Sequence, residues 1–277
     1  MSTPVLATPA GRDGWEAIVK DPAAAVIASD FDGTLSPLVE DPAMSRAAAG
    51  ALDALARLAG SVGQIAIVTG RPALVATELS GVSRHAGLGR LVVLGHYGLE
   101  RWEASTGAVT SEPVPDGVAL ARERLPGVLQ EAGLPDAFVE DKESSLAVHT
   151  RRLPDPEGAL EALRTPLSEL AESVGLRLEP GNLVLELRPP GIDKGVALRR
   201  LLDSTGARSI LYAGDDLGDL AAFKAIDSLR GEGLNAVLVA ARSSGATALT
   251  ECADIVVDDP AGVVTVLTAL ADAIATR

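Results

Sequence analysis

The chain has little cysteine and little positive charge. Its single cysteine, Cys252, excludes an intrachain disulfide and a cysteine-based zinc site. With 24 Lys and Arg against 38 Asp and Glu, the formal net charge of −14 argues against a general nucleic-acid or anionic-membrane binder, because such partners need a surplus of basic side chains. No apolar run approaches the roughly 20 residues that span a bilayer, and the N-terminal residues lack an apolar signal core. We therefore expect a soluble, cytoplasmic protein.

The length and composition indicate an ordered protein with a sizeable core. The 277 residues can form one large domain or two modest ones, and 47% of them are hydrophobic. This fraction is too high for a disordered chain. An acidic chain can still bind one phosphate group where a metal and a few basic side chains invert the local charge.

Short apolar strands alternate with helical patterns over much of the sequence. The strand candidates are Ala24–Ser29, Gln64–Thr69, Leu91–Leu94, Ser209–Ala213, Ala236–Ala240 and Asp254–Val257. The helical patterns between them are Ala43–Leu58, Pro72–Leu79, Lys194–Leu202, Asp219–Ser228 and Ala261–Thr276. The alternation predicts an α/β fold with a doubly wound parallel sheet. Ligands of such sheets bind at the carboxyl ends of the strands, where Asp30, Thr69 and Asp215 fall.

The middle of the chain has a different pattern, which predicts an inserted domain. Two helical segments, Gly117–Ala132 and Pro156–Val174, are each followed by a pair of short strands. The two α-β-β units predict a small antiparallel sheet with helices on one face, and proline-rich segments border the insert. We therefore expect a catalytic core at residues 1–113 and 189–277, with an inserted α+β cap domain at 114–188.

Two carboxylates stand where the first predicted strand ends. Asp30 and Asp32 follow an apolar run and precede Gly-Thr. They project together because alternate residues of an extended chain point the same way, and two close anions require a cation or a shared proton. Asp30 can attack phosphorus as a nucleophile, and Asp32 can protonate the leaving oxygen and then deprotonate water. A single Asp-x-Asp can equally cap a turn, so this interpretation depends on the other motifs.

Two further motifs offer partners for a phosphate or for the nucleophile. Thr69-Gly70-Arg71 follows a strand and combines a hydroxyl, backbone N–H groups and a guanidinium that can support phosphoryl oxygens. The alternative is an ordinary turn between a strand and a helix. Lys194 begins a predicted helix, where its charge opposes the helix dipole, so we expect an anionic partner such as Asp30. Taken alone, Lys194 could equally be a solvated lysine.

An acidic cluster follows a later strand. Asp215, Asp216 and Asp219 lie within five residues, with no His or Cys nearby, and hard oxygen ligands of this kind suit Mg²⁺. We expect Asp215 to be the direct ligand, and Asp219 or Asp216 to hold waters or to orient Lys194. One of the three can instead serve only as a helix cap.

The four motifs, in this order, resemble the haloacid-dehalogenase superfamily of Mg²⁺-dependent phosphatases. The resemblance implies that Asp30 is the nucleophile and Asp32 the acid/base, with Thr69 and Lys194 as the other catalytic residues. It also implies Mg²⁺ bound by Asp30, by the backbone carbonyl of Asp32 and by Asp215.

Motifs in the insert and at its borders resemble trehalose-6-phosphate phosphatases. Members of this family show a Gly-x-His-Gly-x-Glu element, a Glu-x-Lys…His-x-Arg hairpin, and Glu-x-Arg-Pro before Lys-Gly. Charged residues alternate with apolar ones on the short strands of the insert, so they can line one polar face that replaces water around sugar hydroxyls. The predicted substrate-binding residues are Gly70, Arg71, His96, Glu140, Lys142, His149, Arg151, Glu186 and Arg188.

This chain departs from the family pattern at three places. Thr69 stands where the family has Ser, the histidine element reads His-Tyr-Gly, and Gly218 and Leu220 replace the Thr and Glu of the acidic cluster. The resemblance implies hydrolysis of trehalose 6-phosphate to trehalose and phosphate through an aspartyl-phosphate. From charge and hydropathy we expect no nucleic-acid or membrane partner, and we expect a monomer. The alternatives are a phosphatase for another sugar phosphate, such as sucrose phosphate, and a catalytically silent sugar-phosphate sensor.

Overall fold

The chain divides into two compact units. The computed structural model describes residues 4–181, 183–243 and 247–277. One unit comprises Met1–Ser111 and Asp193–Arg277, and the other comprises Glu112–Ile192. The insert predicted at 114–188 falls inside the second range. Its assignment as a cap domain stays a prediction.

The first unit contains an eight-stranded sheet. Its strands are β1 (Ala25–Ser29), β2 (Gln64–Val68), β3 (Leu91–Gly95), β4 (Glu100–Glu103), β5 (Val109–Ser111), β10 (Ser209–Gly214), β11 (Asn235–Ala241) and β12 (Ile255–Val257). They are ordered β12-β11-β10-β1-β2-β3-β4-β5, and all pairs from β12 to β3 are parallel. Strands β4 and β5 extend the β3 edge in antiparallel fashion. The central strands β1 and β10 are buried along their whole length and largely apolar because both faces of the sheet are covered.

Helices cover both faces of this sheet. They are α1 (Pro9–Lys20), α2 (Ala51–Ala59), α3 (Ala73–Ser80), α6 (Lys194–Thr205), α7 (Leu220–Arg230), α8 (Thr247–Cys252) and α9 (Pro260–Ala275). Side chains of α1, α2, α3 and α9 share one hydrophobic cluster with Ile27 and Val93. Side chains of α6, α7 and α8 share the other with Val26 and Val92. Neighbouring residues of one strand thus face opposite layers, as the predicted doubly wound α/β fold requires.

The second unit is a four-stranded antiparallel sheet with helices on one face. Its strands are β6 (Phe138–Asp141), β7 (Leu146–His149), β8 (Arg177–Gly181) and β9 (Val184–Arg188), in the order β6-β7-β9-β8. Helices α4 (Asp116–Glu131) and α5 (Pro156–Ser173) pack their leucines on the apolar strand residues. The predicted fold class, an α/β doubly wound core with an inserted α+β unit, is confirmed.

The sequence prediction was wrong about one helix and missed several elements. The helix predicted at Ala43–Leu58 is α2, which begins only at Ala51, after a short 3₁₀ turn at Pro42–Met44. Gly50 precedes α2 with φ +80°, a left-handed conformation that separates the two segments. Helices α1 and α8 and strands β4 and β5 were not predicted. Within the described residues, no helix has both the length and the apolar character needed to cross a membrane.

Candidate active site

Three neighbouring strands bring the predicted catalytic residues to one edge of the sheet. Strand β1 pairs with β10 on one side and with β2 on the other, all in parallel. Asp30, Thr69 and Asp215 follow the last residues of β1, β2 and β10. All three are buried, with 2 to 5% of their surface exposed. The carboxyl edge of the sheet therefore holds the motifs that lie far apart in sequence.

Buried carboxylates form a compact cluster at this edge. One oxygen each from Asp30, Asp215 and Asp219 lies within 4.8 Å of the other two. Lys194 Nζ lies 2.9 Å from Asp30 Oδ1 and 2.8 Å from Asp219 Oδ1. One ammonium cannot balance three buried carboxylates, so the cluster still favours a further cation. The oxygen-only donor set fits a hard divalent metal such as Mg²⁺.

Asp219 accepts hydrogen bonds at both oxygens. Lys194 and the Tyr212 hydroxyl donate to its Oδ1 at 2.8 and 2.6 Å. The backbone N–H groups of Asp215 and Asp216 donate to its Oδ2 at 3.1 and 3.3 Å. Asp219 therefore contacts both Lys194 and the backbone of the turn after β10.

Burial and charge move the pKa values of this cluster in different directions. Burial raises the pKa of Asp30 well above its usual value, although Lys194 opposes the shift. Burial and the neighbouring Asp219 raise the pKa of Asp215 to about 7. Burial alone would raise the pKa of Asp219, but donation from Lys194 and Tyr212 lowers it. The pKa of Lys194 is raised because Asp219 and Asp30 outweigh its desolvation. Lys194 and Asp219 thus form the charged pair, and the other two carboxylates need a further cation.

The loop after β1 is shaped around Asp215. Thr34 Oγ1 donates to Asp215 Oδ1 at 3.0 Å, and Ser243 Oγ donates to the Asp215 carbonyl at 2.5 Å. Gly33 has φ +83°, and a Cβ there would lie 2.1 Å from Asp215 Oδ2. Only glycine fits both the backbone conformation and the space. Gly33 and Thr34, which follow Asp32, therefore both contact or approach the carboxylate of Asp215 directly.

Asp32 is held by Arg71 and Ser45. Arg71 Nε lies 2.5 Å from Asp32 Oδ2, and its Nη2 lies 2.7 Å from Oδ1, a bidentate ion pair. Ser45 Oγ donates to the same Oδ1 at 2.9 Å. Arg71 was predicted to support phosphate, and in this structure its guanidinium contacts the predicted acid/base residue.

The segment after β3 fixes the Thr69–Arg71 turn. The His96 N–H donates to the Arg71 carbonyl at 2.9 Å, and the Tyr97 N–H donates to the Thr69 carbonyl at 3.0 Å. Both residues have positive φ, 47° and 57°. A Cβ at Gly70 would lie 2.7 Å from the Tyr97 hydroxyl, so Gly70 permits this close approach. The backbone N–H groups of His96 and Tyr97 therefore fix the turn that carries Thr69 and Arg71.

In the insert, most of the predicted sugar-binding side chains share the sheet face that is not packed on helices. Glu140 and Glu186 both align with Ala147 of β7. His149 Nε2 lies 2.9 Å from Glu140 Oε2, and Lys142 Nζ lies 3.5 Å from Glu186 Oε1. Two other predicted sugar-binding residues lie in the insert. Arg188 Nη2 lies 3.4 Å from Glu179 Oε1, and Arg151 is exposed in the turn after β7. The open face thus carries pairs of polar and charged side chains.

Sequence reasoning missed several residues of the site. Ser45 was assigned to a helix interior, and Tyr212, Tyr97 and Ser243 were given no role. The Tyr212 hydroxyl is buried and bonded to Asp219. A tyrosine within a predicted buried strand was the available signal, because a buried hydroxyl requires a partner. Ser243 offered no signal of this kind.

Comparisons with known proteins agree with this architecture. The chain is 32% identical over 253 residues to a trehalose-phosphate phosphatase of Mycobacterium avium, covering 84% of this chain and 58% of that protein. The chain spans 15% to 58% of the length of the curated relatives compared with it. Its fold is similar to the C-terminal domain of Candida albicans trehalose-6-phosphate phosphatase, with a TM-score of 0.74, 20% identity and 98% coverage of both chains.

The fold is also similar to a haloacid dehalogenase-like hydrolase from Bacteroides thetaiotaomicron. That comparison has a TM-score of 0.58 and 19% identity over 88% of this chain and 98% of the other. A sequence model of the trehalose-phosphatase family matches residues 28–252. The chain therefore belongs to the trehalose-phosphatase family.

Proposed function

We propose that this chain is a Mg²⁺-dependent phosphatase that hydrolyses trehalose 6-phosphate to trehalose and inorganic phosphate. The observation that carries this proposal is the buried pairing of Asp30 with Lys194 beside Asp215. A carboxylate nucleophile needs to be ionised and close to cations that offset the charge of a phosphate. Membership of the trehalose-phosphatase family supplies the substrate class.

Two carboxylates of the cluster fit a metal ion. Asp30 and Asp215, with the backbone carbonyl of Asp32, would hold Mg²⁺, while Asp219 is already engaged by four donors. When bound, the ion would neutralise phosphoryl oxygens during the displacement. The shortage of positive charge around the cluster supports this assignment.

The residues of the chain then divide the reaction into two steps. Asp30 attacks phosphorus, and the bond to the sugar oxygen breaks while Asp32 gives that oxygen a proton. Water next attacks the aspartyl-phosphate, Asp32 takes a proton from the water, and phosphate leaves a free Asp30. Lys194 and a bound cation would together keep Asp30 ionised for the first step, and Thr69 with the Gly70 and Arg71 N–H groups supports phosphoryl oxygens.

The insert is proposed to bind the sugar. Its open strand face carries carboxylates and cations, and sugar hydroxyls both donate and accept hydrogen bonds. The pairs formed by Glu140 with His149 and by Lys142 with Glu186 offer both donors and acceptors. Arg151 and Arg188 complete the proposed set.

A phosphate-release panel tests the proposal. The purified chain is assayed with trehalose 6-phosphate, sucrose 6-phosphate and glucose 6-phosphate, with Mg²⁺ and after chelation. We expect the largest kcat/KM with trehalose 6-phosphate and loss of release after chelation. A larger kcat/KM with another sugar phosphate would show that trehalose 6-phosphate is not the preferred substrate. Tight binding of trehalose 6-phosphate without turnover would indicate a catalytically silent sensor.

A further inference from the structure

Asp32, Arg71 and Ser45 form a closed ring of hydrogen bonds. Ser45 Oγ donates to Asp32 Oδ1 at 2.9 Å, and Arg71 Nη2 donates to that same oxygen at 2.7 Å and to Ser45 Oγ at 3.0 Å. Arg71 Nε completes the ring with a 2.5 Å contact to Oδ2. Each member thus contacts both of the others, which restricts the carboxylate to one orientation.

Ser45 is the most buried member of the ring. It is 2% exposed, whereas the side chains of Arg71 and Asp32 are 19% and 27% exposed. It directly follows the 3₁₀ turn at Pro42–Met44, which Asp41 caps through the Ala43 N–H at 3.0 Å. The Ser45 carbonyl also accepts from Arg46 Nη1 at 2.6 Å. The hydroxyl of Ser45 is therefore the ring's most shielded hydrogen-bond donor to Asp32.

The two oxygens of Asp32 are not equivalent. Oδ1 receives Ser45 and Arg71, whereas the hydrogen bonds of the described residues give Oδ2 Arg71 alone. A phosphoryl group bound beside the Thr69–Arg71 turn would compete with Asp32 for the guanidinium. Once Arg71 turns to the phosphate, Ser45 still holds Oδ1, and Oδ2 is exposed. Oδ2 is then the oxygen placed to carry the proton.

We propose that Ser45 is a positioning residue for Asp32, which keeps the acid/base carboxylate oriented while Arg71 is shared with the substrate phosphate. This inference rests on the proposed phosphatase function. It assigns to Ser45 a part in protonating the leaving sugar oxygen, although Ser45 contacts only Asp32 and Arg71 of the site. The proton itself moves from Asp32 Oδ2 to the sugar oxygen as the phosphorus–oxygen bond breaks, and it is replaced from water in the second step.

Leaving-group dependence tests this role directly. A sugar oxygen needs a proton to leave, whereas p-nitrophenolate leaves unaided because its conjugate acid is far more acidic. The ratio kcat/KM covers only the steps up to release of the first product, so it isolates the protonation. For Ser45→Ala we expect kcat/KM to fall about 10-fold with trehalose 6-phosphate, the size of one charge-assisted hydrogen bond, and less than about 2-fold with p-nitrophenyl phosphate.

Matched variants separate positioning from folding. Ser80→Ala removes a similarly buried hydroxyl, 5% exposed, that bonds the Thr77 carbonyl of α3, and it should leave both ratios unchanged. Ser45→Thr keeps the hydroxyl and should recover trehalose 6-phosphate turnover. Ser45→Cys, which has a weak donor of similar size, repeats the comparison if Ser45→Ala does not fold.

The outcomes distinguish this inference from the proposed function. A selective loss with the sugar phosphate supports the role of Ser45. Equal losses with both substrates, or no loss with either, would overturn it while the wild-type activity stands. A wild-type chain that turns over p-nitrophenyl phosphate but no sugar phosphate would instead remove the proposed function.

Discussion

Lys194 and Asp219 form the fixed charge pair on which the proposed nucleophile depends. Lys194 lies at the first position of α6, where the helix dipole disfavours a cation. Its two carboxylate neighbours, at 2.8 and 2.9 Å, offset both the dipole and the loss of water. The two oxygens of Asp219 accept hydrogen bonds from four donors. We therefore expect Asp219 to anchor Lys194 rather than to bind a metal ion directly.

Asp219→Asn should destabilise the fold strongly. An amide has one acceptor oxygen, so its NH₂ group must face two donors whichever way it is turned. We expect the free energy of unfolding to fall by about 3 kcal/mol, as when one partner of a buried charge pair is removed. Urea denaturation followed by circular dichroism measures this change.

Asp216→Asn is the matched control at the neighbouring acidic position. Asp216 is exposed, and its side chain accepts from the Gly218 N–H at 2.8 Å within a capping box with Asp219, a cap that asparagine can also make. Its free energy of unfolding should change by less than about 0.5 kcal/mol. Similar stabilities for the two variants would contradict the anchoring role of Asp219.

At the scale of elements, the loop after β1 shows why the site needs its glycine. Gly33 combines a positive φ with a position directly against the Asp215 carboxylate. The loop therefore holds Asp215 by contact as well as by the Thr34 hydrogen bond at 3.0 Å. A side chain at this position must displace the carboxylate.

Gly33→Ala should reduce phosphatase activity more than it reduces stability. The positive φ should lower the free energy of unfolding by about 1 kcal/mol. Displacement of Asp215 should separately lower kcat/KM by a factor of about 100, because it misplaces the proposed metal site. Gly107→Ala provides the control, since Gly107 has φ +69° but no atoms within 4 Å of a Cβ. Equal kcat/KM values for the two variants at matched stability would show that the close contact of Gly33 with Asp215 does not affect activity.

The positions of the core strands along the chain were predictable, whereas the partners of the side chains were not. Every predicted core strand agrees with its observed bounds to within one residue, because a strand buried on both faces leaves a continuous apolar run. Strand β4, Glu100–Glu103, lacks such a run and was missed. The error at α2 has a local cause, since Gly50 stops a helical pattern that otherwise continues.

The sequence predicted which residues come together at the strand ends, but it did not predict the contacts of their side chains. Asp30 and Asp215 were expected to meet because parallel strands bring their carboxyl ends together, and Lys194 was expected to pair with Asp30. The pairing of Arg71 with Asp32 joins residues 39 positions apart, and no local pattern encodes it. Ser45 was hidden for the same reason.

At the scale of the whole molecule, an acidic chain is proposed to bind a doubly charged substrate. The formal net charge is −14, so long-range electrostatics oppose the approach of a phosphate. Local cations must reverse the field, and Lys194 is already committed to two carboxylates. The proposed Mg²⁺ would therefore be needed for substrate binding as well as for catalysis.

The stabilising effect of Mg²⁺ should increase with pH. The pKa of Asp215 is raised to about 7 in the folded metal-free chain, and burial also raises that of Asp30. A raised carboxyl pKa means that the folded state retains a proton that the unfolded chain releases, so metal-free stability falls as pH rises from about 4 to about 7. Mg²⁺ binds the ionised carboxylates, so it competes with protons below pH 7.

A thermal unfolding experiment at two pH values measures this linkage. At about pH 8, an excess of Mg²⁺ of roughly 100 times its Kd should raise the Tm by about 5 °C, and the gain should be smaller at about pH 6. Asp215→Asn should remove most of the gain at both pH values. A gain that is independent of pH and of Asp215 would place any bound Mg²⁺ elsewhere.

Phosphate release from trehalose 6-phosphate by the wild-type chain and by Asp30→Asn, both with Mg²⁺, is the most direct test of the proposed phosphatase function. The wild-type chain should release phosphate, and Asp30→Asn should be slower by at least about 10³-fold because no other group replaces a carboxylate nucleophile. An unchanged circular dichroism spectrum would show that the variant is folded. Comparable release by folded Asp30→Asn would contradict the role of Asp30 as nucleophile, and no release by the wild-type chain would contradict the proposed phosphatase function.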